Sequence, residues 1–316
     1  MKYRKLGKFG VRVSEVSLGS WLTYGGASAD ETARACIERA YDLGVNLFDT
    51  ANAYAGGRSE EIVGKSLSAY PRSSFVLATK VYFPMGSGPN DRGLSRKHIF
   101  EQCHASLKRL GTEYIDIYQA HRYDNDTPVE ETLMAFDDLV RQGKILYYGV
   151  SEWSAAQLNE ADKFVSEYDL HPIASNQPQY NALHRNIEKE VLPTCARLGI
   201  GLIVYSPLAQ GLLTGKYKPG MPLPEGSRAS DPDQNTWMNR GKLDENLLEK
   251  VQRLFPIAQR NGITLSQMAL AWCLRRPEVS SVIIGASRPD QINDNVAASG
   301  VTLSEADHAE IKAVLA

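Results

Sequence analysis

Four residues able to do acid–base chemistry follow three successive predicted strands. Asp49 and Tyr54 come at and just after the end of the first strand, Lys80 follows the second and His121 follows the third. Because the carboxyl ends of parallel strands meet at one edge of a sheet or one mouth of a barrel, we expect these side chains to converge. A carboxylate, a phenol, an ammonium and an imidazole would then share one site, which predicts proton transfer there.

Each of these groups has a defined part in carbonyl reduction. Tyr54 is a poor acid at neutral pH, because the reference pKa of a phenol is about 10, and the nearby ammonium of Lys80 is expected to lower that pKa. A buried ammonium needs a paired carboxylate, which Asp49 would provide. His121 would orient the carbonyl oxygen toward the Tyr54 hydroxyl. Taken singly, each residue has an ordinary structural interpretation, so the combination carries the prediction.

The composition excludes several classes of protein. The 316 residues carry a formal net charge of −2 and are 43% apolar. Nucleic-acid binding needs a clustered excess of Lys and Arg, so no nucleic-acid partner is expected. The cysteines lack C-x-x-C spacing, which argues against a disulfide framework and against a metal site. They are Cys36, Cys103, Cys195 and Cys273.

No stretch of the chain predicts a secretory signal or a membrane segment. Residues 1–6 are charged, and no run of about 18 apolar residues occurs. A cytoplasmic protein without membrane insertion is therefore expected. Alternating α/β chains of this length usually form one domain, which would span residues 1–316.

Short apolar runs alternate with amphipathic segments of helical length, as in parallel βα units. The eight predicted strands are 16–18, 46–49, 75–79, 115–120, 145–150, 173–176, 201–205 and 282–284. Predicted helices are 30–43, 95–110, 128–141, 154–167, 244–259, 266–274 and 304–315. Proposed N-caps are Asp30, Ser95, Thr127 and Ser154. Residues 3–13 predict a β-hairpin able to plug one end of a barrel.

Eight strands with intervening helices also fit a doubly wound sheet. Polar residues at the ends of six different strands favour a (β/α)8 TIM barrel instead, with the N-terminal hairpin and extra C-terminal helices added to it. These residues are Asp49, Lys80, His121, Ser151, Gln177 and Ser206.

Four stretches resemble the aldo-keto reductase superfamily, in the same order along nearly the whole chain. They are residues 46–51 (NLFDTA), 92–98 (RGLSRKH), 206–211 (SPLAQG) and 285–287 (GAS). The likeness is strongest to the branch of voltage-gated potassium channel β subunits and related bacterial reductases. It implies a (β/α)8 barrel, an extended NADP(H) across the strand ends, and reduction of aldehydes and ketones to alcohols. The implied catalytic tetrad is Asp49, Tyr54, Lys80 and His121.

The resemblance also implies which residues would bind the cofactor. The nicotinamide would be bound by Ser151, Gln177 and the ring of Tyr205. The pyrophosphate would lie along Ser206, Pro207, Leu208, Ala209 and Gly211, covered by Lys216 and Arg228. The adenosine end, where helix N-terminal amides suit a phosphate, would meet Gly285, Ser287, Arg288, Gln291 and Asn295. The remaining cofactor contacts would be Ser20, Trp21 and Asp49.

Other cofactor motifs are weak. No G-x-G-x-x-G follows a predicted strand, which disfavours a Rossmann domain. Residues 59–66 end like a P-loop, but Ser59 stands where the first glycine belongs. Two residues depart from the family pattern. Glu152 stands where many reductases have Asn and the channel subunits have Arg, which leaves its role toward the cofactor open, and Gly226 replaces an aromatic residue of the channel branch.

Aromatic residues near the strand ends would line the substrate pocket. They are Trp21, Tyr82, Phe83 and Trp237, of which Trp237 fits loop packing equally well. They indicate tolerance of aromatic or aliphatic carbonyls without naming a substrate.

Two other functions fit parts of this pattern. A regulatory subunit that senses NADP(H) with little turnover would keep the cofactor site, although the channel β subunits carry Asn where His121 stands. A Schiff-base aldolase would use Lys80 as its nucleophile. The resemblance is compatible with a monomer or a homo-oligomer, since the channel β subunits assemble as tetramers.

Overall fold

The computed structural model describes residues 1–21, 24, 30–231 and 243–316. It begins with a hairpin of two antiparallel strands, β1 (Tyr3–Lys5) and β2 (Arg12–Ser14). Gly7 in the turn has φ +56°, and a Cβ there would clash with the backbone of Gly199, so only glycine fits this close approach.

Eight parallel strands of the described residues close into a barrel. They are β3 (Val16–Gly19), β4 (Leu47–Asp49), β5 (Val76–Val81), β6 (Ile115–Ala120), β7 (Ile145–Ser151), β8 (Ser175–Gln177), β9 (Gly201–Val204) and β10 (Val279–Ile284). Hydrogen-bonded neighbours follow chain order from β3 to β9, and β10 pairs with both β9 and β3. The predicted barrel is confirmed, and the doubly wound sheet is excluded because that sheet would have two open edges.

Helices surround the barrel. They are α1 (Asp30–Asp42), α2 (Arg58–Leu67), α3 (Arg96–Leu110), α4 (Val129–Arg141), α5 (Ala155–Glu167), α6 (Val191–Leu198), α7 (Glu245–Gln252), α8 (Phe255–Arg260), α9 (Leu265–Leu274), α10 (Pro289–Val296) and α11 (Glu305–Leu315). All predicted helices except 244–259 are confirmed to within one residue at each end. No bounds were predicted for α2, α6 or α10. No helix of the described residues combines the length and the apolar character needed to span a bilayer.

Side-chain caps account for several helix starts. Ser95 accepts a hydrogen bond from the His98 amide, and Ser154 forms a reciprocal capping box with Gln157. The predicted cap at Thr127 is wrong, because its hydroxyl donates to Asp124 and Pro128 occupies the cap position.

Two segments differ from the sequence-based expectation for identifiable reasons. The single predicted helix 244–259 is split into α7 and α8, because Pro256 lacks an amide hydrogen and is accommodated only in the first turn of a new helix. The P-loop-like residues 59–66 lie within helix α2. A Cβ at Gly64 would clash with the backbone of Leu110, so this glycine serves close packing of α2 against α3.

The interior of the barrel is apolar at one end and polar at the other. Leu6 and Val13 of the hairpin are fully buried and pack against apolar side chains inside the barrel. Those side chains include Leu47, Val76, Ala78, Ile117, Ala174, Ile203 and Ile283. The hairpin therefore plugs the amino-terminal end of the strands, as predicted, and each buried Leu or Val contributes about 1.5–3 kcal/mol relative to exposure.

Candidate active site

Side chains two residues apart on a strand face the same side, and this places polar residues inside the carboxyl-terminal end of the barrel. Leu47 and Ala78 point inward, so Asp49 and Lys80, each two residues further along its strand, point inward as well. His121 continues the ladder of β6 by donating its amide to Val81 at 2.9 Å. The three strands thus deliver their terminal side chains to one mouth.

Lys80 is the centre of this site and is completely buried. Its ammonium donates to Asp49 Oδ1 at 2.5 Å, to the Thr50 carbonyl at 2.8 Å and to the Tyr54 hydroxyl at 3.3 Å. Burial is the largest effect and acts to lower the pKa of Lys80, but the interactions with Asp49 and Tyr54 together outweigh it and the net pKa is raised. Lys80 is therefore charged, and all three of its hydrogens have acceptors.

Asp49 is oriented by two amide side chains as well as by Lys80. Its Oδ2 accepts from Gln177 Nε2 at 2.8 Å and from Gln119 Nε2 at 3.3 Å. Gln119 was not among the site residues predicted from the sequence, although this residue of β6 lies two positions before His121 and faces the same side. Gln177 was expected at the nicotinamide, but its amide nitrogen is used to hold Asp49.

Tyr54 lies in a short 3₁₀ turn after β4, spanning Tyr54–Gly57. Its ring is partly exposed, whereas the hydroxyl reaches the Lys80 ammonium, which lies 4.9 Å from the ring centroid. Burial raises the pKa of the phenol, and the charge of Lys80 offsets this only in part. The expected lowering of the Tyr54 pKa is therefore wrong, because the sequence indicated the neighbouring charge but not the desolvation.

His121 completes the cluster as a neutral imidazole. Burial lowers its pKa well below the usual range, and the positive charges of Lys80 and Arg122 act in the same direction. Its Nδ1 is buried and has no hydrogen-bond partner in the described residues. The ring centroid lies 5.6 Å from that of Tyr54 and 4.8 Å from that of Phe83. A neutral imidazole retains one N–H to donate toward a carbonyl oxygen.

The predicted substrate-pocket aromatics are partly brought together. The rings of Tyr82 and Phe83 lie 5.3 Å apart, and Phe83 borders His121. Trp21 lies in the turn after β3 and is partly buried. Trp237 lies outside the described residues.

The loop after β9 has an unusual backbone. Three non-glycine residues there have positive φ, at +52° for Ser206, +48° for Ala209 and +59° for Gln210, followed by Gly211 at +99°. Such strained conformations concentrate at functional sites. A Cβ at Gly211 would come within 2.8 Å of Lys216 Cε, so glycine leaves room for that lysine.

Two cations accompany this loop. Lys216 is exposed, and its ammonium lies 5.1 Å from the Tyr217 ring centroid. Arg228 is half-buried, and burial lowers its pKa. Among the described residues no carboxylate lies within ion-pairing distance of Arg228. These features fit the diphosphate of a nucleotide cofactor.

The start of α10 is only partly as expected. Ser287 donates its amide to Gln291 Oε1 at 2.8 Å, and Asn295 is buried. Arg288 pairs with Asp290 at 3.2 Å, and both side chains are exposed.

Other expected cofactor residues make contacts within the protein. Ser20 donates to the Thr50 hydroxyl at 2.9 Å, and Ser151 donates to the Gln177 carbonyl at 2.9 Å. Glu152 has φ +59°, and its carboxylate accepts from the Gln179 amide at 2.7 Å. Burial and the nearby Glu152 carboxylate both raise the pKa of Tyr205.

A separate cavity lies at the opposite end of the barrel from the cluster around Lys80. That cavity has a volume of about 650 Å³ and is lined by Arg4, Arg12, Arg275 and Glu278, among others. The described residues contain no cluster of side chains able to hold a metal ion.

Comparison with known proteins supports one family across the chain. Residues 15–316 match the model of the aldo/keto reductase family. The chain is 46% identical over 305 residues to a putative voltage-gated potassium channel subunit beta of Schizosaccharomyces pombe, covering 94% of this chain and 87% of that protein. It is 45% and 44% identical, each over 304 residues, to probable channel β subunits of Arabidopsis thaliana and Oryza sativa, covering 95% of this chain and 92% of each relative.

Proposed function

Because this chain belongs to the aldo/keto reductase family, and is therefore of an oxidoreductase family, we propose that it reduces aldehydes and ketones to alcohols with NADPH. The proposed catalytic residues are Asp49, Tyr54, Lys80 and His121. The observation that carries the proposal is the buried Lys80 ammonium, which touches the Asp49 carboxylate and the Tyr54 hydroxyl at once.

In this mechanism Tyr54 gives its hydroxyl proton to the carbonyl oxygen, which becomes the hydroxyl group of the alcohol. The phenolate that remains lies 3.3 Å from the Lys80 ammonium, which stabilises it. His121, being neutral, donates a hydrogen bond that orients the oxygen. When bound, NADPH would supply the hydride to the carbonyl carbon.

The proposed cofactor residues lie beside this centre. The positive-φ loop 206–211 would lie along the pyrophosphate, and Arg228 and Lys216 would neutralise its charge. The family generally uses nicotinamide cofactors, typically NADP(H). Tyr205 would present its ring to the nicotinamide.

The aldolase interpretation is disfavoured by the state of Lys80. A Schiff base requires a neutral amine with a free lone pair. Here the pKa of Lys80 is raised, and its three hydrogens are donated to Asp49, Thr50 and Tyr54.

A regulatory subunit that senses NADP(H) is the second candidate, because the similar proteins reported above are named as potassium channel β subunits. A panel of carbonyl compounds, from glyoxals and nitrobenzaldehydes to short sugars, followed by NADPH absorbance, separates the two functions. Turnover supports the reductase. Tight NADPH binding without turnover of any compound would support the sensor.

We expect the protein to bind NADPH roughly 10- to 1000-fold more tightly than NADH, because one or two charge-assisted hydrogen bonds to the 2′-phosphate suffice for that ratio. Salt should weaken the preference. Fluorescence titration of both cofactors at low and high salt measures it.

The matched variants for this titration come from the start of α10. Ser287→Ala/Gln291→Ala should lose most of the preference, whereas Arg288→Ala should keep most of it, since Arg288 is already paired with Asp290. Equal dissociation constants for NADPH and NADH in the wild type would contradict the phosphate site.

The rate of reduction should be independent of pH between 6.5 and 10.0, the ordinary pKa values of His and Tyr. His121 is neutral above a pKa that is lowered below 6.5, and Tyr54 keeps its proton below a pKa that is raised above 10.0. Both groups are therefore in the reactive state throughout this interval. Stopped-flow measurement of hydride transfer tests this prediction. A fall in the rate centred near pH 8 would mean that the pKa of Tyr54 is lowered and would contradict the prediction.

A further inference from the structure

Arg122 lies at the rim of the mouth, directly after His121. It is half-buried, and its Nη1 donates to the His121 carbonyl at 2.5 Å. The guanidinium carbon lies 5.5 Å from the centroid of the Phe83 ring, and that ring borders the imidazole of His121. The guanidinium is thus held beside the surface on which a carbonyl substrate would lie.

No carboxylate in the described part of the chain neutralises the charge of Arg122. Among the described residues no carboxylate lies within ion-pairing distance of it, and its one hydrogen bond to a protein oxygen uses one of five N–H donors. Lys80, in contrast, is paired with Asp49, and the Glu152 carboxylate accepts from the Gln179 amide.

Arg122 affects the pKa of three titratable side chains near the mouth. Its positive charge acts to lower the pKa of Tyr54, of His121 and of Tyr205, although burial is the largest effect on all three. A half-buried guanidinium with free donors suits a carboxylate or a phosphate, because its planar fork binds such oxygens in pairs.

Resting on the proposed reductase function, we propose that Arg122 binds an anionic group of the substrate. The preferred substrates are then aldehydes or ketones that carry a carboxylate or a phosphate a few bonds from the carbonyl carbon. A positioning role for Arg122, through the His121 carbonyl and the Phe83 ring, would instead affect charged and neutral substrates alike.

Two matched pairs of aldehydes distinguish these roles. Succinic semialdehyde is compared with butanal, and glyceraldehyde 3-phosphate with glyceraldehyde, each by kcat/KM with NADPH. In Arg122→Met the ratio of charged to neutral substrate should fall about 10- to 100-fold, mainly through KM, because a charge-assisted contact is lost. Arg122→Lys should recover part of the ratio, since it keeps the charge without the fork. Arg34→Met, in the exposed part of α1, is the control and should leave the ratio unchanged.

The two pairs also separate the sources of the anion, because a carboxylate site favours the first pair and a phosphate site the second. Wild-type ratios near one for both pairs, or equal losses for charged and neutral substrates in Arg122→Met, would overturn the proposal.

A binding measurement tests the anion site without depending on enzymatic turnover. Calorimetric titration with 4-hydroxybutyrate, and with 1-butanol as the neutral match, should show acid binding that weakens about 10- to 100-fold in Arg122→Met. The protein could bind the acid, lose that binding in Arg122→Met, and yet reduce none of the four aldehydes. That result would support the anion site and overturn the reductase function. Reduction of the aldehydes with acid binding unchanged in the variant would overturn the anion site alone.

Discussion

Replacing Tyr54 with Phe is expected to lower kcat for carbonyl reduction by about 10²- to 10⁴-fold, because the variant lacks the proton donor and general acid catalysis is worth that much. NADPH affinity should remain close to that of the wild type, since the ring is retained. Stopped-flow kinetics with deuterated NADPH measures the chemical step, and fluorescence titration measures the affinity.

The matched control for this substitution is Tyr168→Phe, which removes the same hydroxyl from a side chain that is 47% exposed, at the end of α5. It should leave both quantities unchanged. If Tyr54→Phe keeps more than about a tenth of the wild-type rate while hydride transfer limits both enzymes, another group is the acid.

Lys80→Met should remove activity and also destabilise the fold. The substitution leaves the Asp49 carboxylate, 4% exposed, with only two neutral amide donors. Breaking a buried ion pair by removing one partner costs about 3–5 kcal/mol, so the free energy of unfolding should fall by that amount. Denaturant unfolding monitored by circular dichroism measures the loss, and NADPH consumption measures the activity.

A double variant separates the two effects of Lys80. Asp49→Asn/Lys80→Met removes both charges, so it should regain most of the lost stability while remaining inactive. Lys65→Met on the exposed face of α2 should change neither quantity. Additive stability losses in Asp49→Asn, Lys80→Met and the double variant would mean that the two charges do not interact.

The fold was largely predictable, because most barrel strands lie in short apolar runs that alternate with amphipathic segments of helical length. The same periodicity did not predict α2 or α6. The role of Gly64 in α2, close contact with Leu110, depends on a neighbour 46 positions away in the sequence.

The candidate site was predictable where position in a strand determines it. Asp49, Lys80 and His121 end successive strands, so their convergence follows from the barrel. The support from Gln119 and the unpaired charge of Arg122 depend on side-chain directions that the sequence does not contain. The direction of the Tyr54 pKa shift likewise depends on how deeply its hydroxyl is buried.

The hairpin plug and the candidate active site lie at opposite ends of the barrel. Leu6 and Val13 close one end with apolar layers, while the polar layer that includes Asp49 and Lys80 lies at the other. Protein engineers could therefore repack the closed end to raise the free energy of unfolding. The added stability would then offset the destabilising effect of substitutions at the mouth that change which carbonyl compounds it accepts. A directed-evolution library would accordingly be divided between the two ends and screened in that order.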